Sequence, residues 1–148
     1  MNTAARLAPV FLLAPLGACV PLPHFETLAP ATSGVVTRDG APVAGAEVRV
    51  AALGVSELRI ATTDAQGRFE TAPIRTFHGT AVLLGDSVRA WSMRIVVGGE
   101  TLEGVNATRI GGLPSRVRLA CELAHPLEHG LGPGSRRDDH CAPVGGDD

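Results

Sequence analysis

The sequence predicts an all-β fold: a β-sandwich of seven to eight short strands, after a cleaved signal helix and before an irregular C-terminal tail. Three observations predict it. Between Ser33 and Pro73 apolar and polar residues alternate with period two, the signature of strands with one buried face. That alternation is broken by turn chemistry, at Asp39-Gly40 and again at Asp64-Ala65-Gln66-Gly67. The 148 residues also include 18 glycines and 11 prolines but only 3% aromatics, which suits many short strands around an aliphatic core.

Taken in order, the first strand spans about Ser33–Arg38, and Asp39-Gly40 reverses the chain as a hairpin turn. The second, Ala46–Leu53, puts Val48 and Val50 on one face and Glu47, Arg49 and Ala51 on the other. Leu58–Thr63 groups Leu58, Ile60 and Thr62. Arg68–Thr71 follows the second reversal and carries Phe69. A loop through Pro73, Arg75 and His78 is expected to lead to a strand at Thr80–Leu84. Trp91, Met93, Ile95 and Val97 then share a face, so Trp91 is expected in the core. Gly98-Gly99 turns that strand into another at Thr101–Asn106, forming the other strong hairpin. The last strand, Arg116–Cys121, points Val117, Leu119 and Cys121 one way and Arg116 and Arg118 the other. Asn106-Ala107-Thr108 matches a glycosylation acceptor pattern but is expected to be a turn.

Three short motifs carry a resemblance. Gly34-Val35-Val36, Gly40-Ala41-Pro42-Val43-Ala44-Gly45-Ala46-Glu47-Val48 and Thr63-Asp64-Ala65-Gln66-Gly67-Arg68-Phe69 resemble the carboxypeptidase regulatory-like (transthyretin-like, prealbumin-like) domain. The match is good from Ser33 to about Pro73, and from there to about Leu123 only the strand rhythm follows it. The resemblance implies a Greek-key β-sandwich, transthyretin- or immunoglobulin-like, acting as an accessory module without catalysis. A strand count of seven or eight in about 90 residues agrees with that class.

The N-terminal segment has a targeting pattern: Arg6, then an apolar run from Leu7 to Leu16, then Leu16-Gly17-Ala18-Cys19. The run is too short for a bilayer span, which takes about 20 residues. Its end resembles the lipobox of bacterial lipoproteins, which implies cleavage before Cys19 and acylation of the Cys19 thiol and the new amine. Val20 instead of aspartate after the cysteine implies the outer membrane, with the domain facing the periplasm. The expected organisation is a lipoprotein signal peptide at 1–18 and a lipidated N-terminus and tether at 19–32. The sandwich then occupies 33–123, and a loop-rich tail 124–148. Pro21, Pro23 and Pro30 make the tether read as extended, with His24, Phe25 and Glu26 in solvent.

With Cys19 assigned to lipid, Cys121 and Cys141 remain, and an oxidising compartment favours a disulfide between them. That bridge is expected to strap the tail, rich in Gly and Pro, against the last strand.

Catalytic readings find little support. His125-Pro126-Leu127-Glu128-His129 spells the H-x-x-E-H of inverted zinc peptidases, but Pro126 inside it and Gly130, Gly132 and Pro133 after it deny the helix that would present both histidines. A looser metal site from His125, His129 and His140 meets the same objection. Hydroxyisourate-type hydrolysis, known in the transthyretin family, uses a Tyr-Arg-Gly-Ser terminus. This chain has no tyrosine and ends Val144-Gly145-Gly146-Asp147-Asp148. No metal, cofactor or catalytic residue is therefore expected. A net charge of −2 offers no footprint for nucleic acid. The expected partners are the membrane, through the N-terminal lipid, and an envelope protein or glycan. The alternative function is a carbohydrate- or peptidoglycan-binding sandwich, and a metal-dependent or transthyretin-type hydrolase is the remote one.

Overall fold

The computed structural model describes residues 23–78, 88–126 and 139–145. It is all-β, a sandwich with no helix among the described residues. One layer is a mixed sheet in the order β11 (Cys141–Pro143), β10 (Arg116–Glu122), β2 (Ala31–Arg38). The free edge of β2 is shared by β3 (Ala41–Pro42) and β6 (Arg68–Thr71). The other layer runs β5 (Leu58–Thr62), β4 (Glu47–Ala52), β8 (Val88–Val97), β9 (Glu100–Ile110). A two-stranded ribbon, β1 (His24–Ala29) with β7 (Ile74–His78), completes the fold.

Period-two patterning decides which residues meet between the layers. Val36, Phe69, Leu119 and Cys121 come from the first sheet, and Val48, Val50, Trp91, Met93, Ile95 and Val105 from the second; all are buried. Ala29 and Ile74 bring the ribbon into the same core. Trp91 is a core residue, as its place in the alternation predicts.

Both glycine reversals are present; Asp39-Gly40 closes the expected hairpin, but only over two pairs of residues, and the Asp64–Gly67 reversal makes none. Asp39 and Gly40 have φ of 52° and 76°, and the turn pairs Arg38 with Ala41 and Thr37 with Pro42 before the chain leaves for the opposite sheet. The run carrying Val48 and Val50 therefore pairs with β5 and β8, not with β2. The Asp64–Gly67 reversal likewise passes from β5 in one sheet to β6 in the other. Asp64 organises it: its Oδ1 accepts the N–H groups of Gln66 at 2.9 Å and Arg68 at 2.8 Å. The shared face of Leu58, Ile60 and Thr62 is the outer one, because the register sets Ala61 beside buried Val48.

Three further expectations change. His24–Thr32 is not a solvated tether. Five residues of β1 pair antiparallel with β7, and Thr32 in β2 is fully buried. The expected loop through Arg75 and His78 is the partner strand of that ribbon, its alternation too short to be distinctive. Asn106-Ala107-Thr108 is strand, because the β8–β9 ladder continues to Val88↔Ile110. A strand at Thr80–Leu84 and the leader at 1–18 fall outside the described residues.

Candidate functional site

Two regions concentrate interactions beyond those needed for sheet pairing. The first is the place where the tail returns. Cys121 and Cys141 sit directly opposite each other on β10 and β11 with Cα atoms 4.0 Å apart, joined as a disulfide. The residues beside the bridge fasten the tail to both layers at once. His140 N–H donates to the Glu103 carbonyl on β9, and the Glu122 N–H on β10 donates to the His140 carbonyl, each at 3.0 Å. Asp139, 1% exposed, accepts from the Asn106 backbone N–H and side-chain amide, both at 3.2 Å. The strap therefore closes the side of the sandwich between β9 and β10. Gly104 makes room for it at the β8–β9 bulge, where an added Cβ would lie 3.2 Å from the Cys141 sulfur and 2.7 Å from the Met93 methyl.

Glu122, adjacent to the bridge, faces the Asp39–Gly40 turn. Its Oε1 accepts from Ala124 N–H at 3.0 Å and Asp39 N–H at 2.8 Å. Its Oε2 accepts from Gly40 N–H at 3.1 Å and the Thr37 hydroxyl at 2.9 Å. Ala124 N–H is the largest influence on the carboxyl and, with Gly40, Thr37 and Asp39, outweighs desolvation and lowers its pKa from 4.5 to about 2. The His140 ring is engaged as well, its Nδ1 lying 3.0 Å from the Glu122 carbonyl oxygen. Of the H-x-x-E-H motif, His125 is exposed three residues beyond β10, and Glu128 and His129 are outside the described residues. No group of three His, Cys, Asp or Glu suited to a metal occurs among the described residues.

The second region is the outer face of the β1–β7 ribbon. Phe25 and Phe77 oppose each other across the pair, with ring centroids 5.2 Å apart and planes at 56°. They are 72% and 58% exposed, so they contribute little to the core and much to the surface. Arg75, opposite Thr27 on the same face, is exposed too. The ribbon is held from behind by the ion pair of Glu26 with Arg89 on β8, whose Nε also donates to the Gly111 carbonyl at 2.9 Å.

No family model, curated protein or solved structure matches the chain.

An open groove of about 710 Å³ crosses the outer side of the first sheet. Its rim includes Ser33, Arg68, Glu70 and Arg118. Sequence reasoning identified the bridge cysteines and the core tryptophan but missed Glu122, Asp139 and the aromatic pair. Phe25 and Phe77 lie 52 positions apart, and only the strand pairing brings them together. Cys19 precedes the described residues. No helix among those residues is long and apolar enough to cross a membrane.

Proposed function

We propose that this chain is a lipid-anchored, non-catalytic envelope module: a sandwich of the carboxypeptidase regulatory-like kind, held by acylated Cys19 to the periplasmic face of the outer membrane. The observation that carries the reading is the run Leu7–Leu16 followed by Leu16-Gly17-Ala18-Cys19, with the folded body starting only five residues later at His24. A leader of this form followed at once by a compact domain suits a protein displayed at a surface. The non-catalytic part is supported by how the titratable groups near the strap are used. Glu122, Asp139 and His140 all bond to the protein's own backbone or amide groups, which favours a structural role for each.

The test is Cys19→Ala in cells. The precursor should accumulate uncut, and the protein should leave the outer-membrane fraction; unchanged processing and fractionation would sink the reading. A second reading, a glycan-binding sandwich, draws on the groove rimmed by Arg68, Glu70 and Arg118. Buried Trp91 offers no stacking face to a sugar, which ranks this reading lower. Pull-down on purified peptidoglycan that is lost in Arg118→Ala would promote it above the first.

A further inference from the structure

We propose that the outer face of the β1–β7 ribbon, built by Phe25, Phe77 and Arg75, docks onto the phospholipid bilayer and fixes how the domain sits on it. The proposal rests on the anchor reading above and adds an orientation. Phe25 and Phe77 are 72% and 58% exposed. Phe25 is the second residue of β1 and lies opposite Phe77 near the end of β7, so the pair sits at the tip of the ribbon. The ion pair of Glu26 with Arg89 holds the ribbon's other face against β8, which turns both rings away from the core.

The occupant follows from where the chain comes from. Only six peptide steps separate Cys19 from Phe25. Fully extended they reach about 20 Å. A lipid on Cys19 therefore holds this end, and not the opposite one, next to the headgroups. The chemistry of the face agrees with that position. Aromatic and aliphatic side chains enter the boundary between headgroups and acyl chains, while arginines pair with lipid phosphates. Arg75 lies on the ribbon's outer face beside Phe77.

The experiment uses the full chain, processed in cells and reconstituted into phosphatidylethanolamine–phosphatidylglycerol vesicles. Phe77→Trp supplies the probe, since Phe77 is exposed and Trp91 is buried and serves as a constant background. Lipids brominated at shallow acyl positions should quench the added emission about twofold, and Arg75→Glu should weaken that quenching. Intact mass of the same preparation reports whether Cys19 is acylated. Acylated protein with an unquenched probe overturns the docking face and leaves the anchor standing. Unacylated protein whose probe is nevertheless quenched on adding vesicles overturns the anchor and supports the face. A probe shielded from aqueous quencher but untouched by brominated lipid means that a second copy or another protein covers this end, which also overturns the proposal.

Discussion

Glu122 on β10 accepts the backbone N–H of Asp39 at 2.8 Å, although 83 positions separate them in the chain. The same carboxylate reaches Gly40, Thr37 and Ala124, so one side chain pins the β2–β3 turn to the start of the tail. Its folded pKa of about 2 lies below the ordinary 4.5. A lowered carboxyl stabilises the fold fully above the unfolded value, and that contribution is lost as pH falls from about 4.5 toward about 2. Glu122→Gln should therefore cost about 1 kcal/mol at neutral pH, a modest figure because solvent screens a half-exposed group. It should also flatten the acid limb of the stability curve. Urea melts of both proteins at neutral pH and at pH about 3 check this. A variant as acid-sensitive as the parent would remove Glu122 from the account.

The Cys121–Cys141 bridge closes a loop with a sequence separation of 20. Loop-closure entropy for that length gives about 3 kcal/mol, and Asp139 and His140 add bonds that only an ordered strap can make. Cys121→Ala with Cys141→Ala should lower stability by about that amount. Protease should then cut first around residues 127–143 while β4 and β8 stay protected. Loss of the whole sandwich in one step would mean that the strap belongs to the cooperative core.

Besides Gly104, two glycines among the described residues are required because backbone approaches them closely, and one of these also by conformation. Gly67 has φ of 71°, and a Cβ there would lie 2.4 Å from the Val36 carbonyl oxygen. Gly34 has no φ requirement, but its Cβ would come within 2.3 Å of the Leu119 carbonyl oxygen, inside the β2–β10 pairing. Both clashes are with backbone, which cannot rotate away. Gly67→Ala and Gly34→Ala should each cost about 1–3 kcal/mol, with Gly67→Ala the worse because strain adds to the clash. Gly40→Ala, where no atom lies within 4 Å, should lose only the strain of its positive φ. Thermal melts of the three variants should rank Gly40→Ala mildest.

These positions also show what the sequence discloses and what it hides. Local chemistry was readable: Asp39-Gly40 makes the turn it announces, Gly98-Gly99 joins β8 to β9, and alternation marks Val48, Val50, Trp91, Met93 and Ile95 as core. Partnership was not. Nothing in the run around Val48 says that it crosses to the other sheet, because either neighbour would accept the same alternation. His24–Ala29 reads as linker, since prolines flank it and β1 earns its place only by pairing with distant β7. The parallel pairing of β2 with β10, which seats Gly34 against Leu119, is non-local in the same way. The bridge was legible because setting Cys19 aside leaves a single pair of cysteines, whose partnership needs no geometry to state. Glu122 and Asp139 look like ordinary charged residues until the fold surrounds them with donors.

The ion pair between Glu26 and Arg89 is the clasp between the ribbon and the second sheet, and both side chains are mostly shielded, at 18% and 17% exposed. Removing either partner leaves the other charge poorly solvated, so Glu26→Gln or Arg89→Met should cost about 1–3 kcal/mol. Replacing both together should cost less than the two single losses summed, because no charge is then stranded. Hydrogen exchange distinguishes this clasp from a surface pair: amides of β1 and β7 should exchange faster in either single variant, while those of β2 and β4 keep their protection. Because the ribbon carries Phe25 and Phe77, the same variants should also loosen the geometry of that face. Uniform acceleration across β2 and β4 would instead show that Glu26 and Arg89 support the whole sandwich.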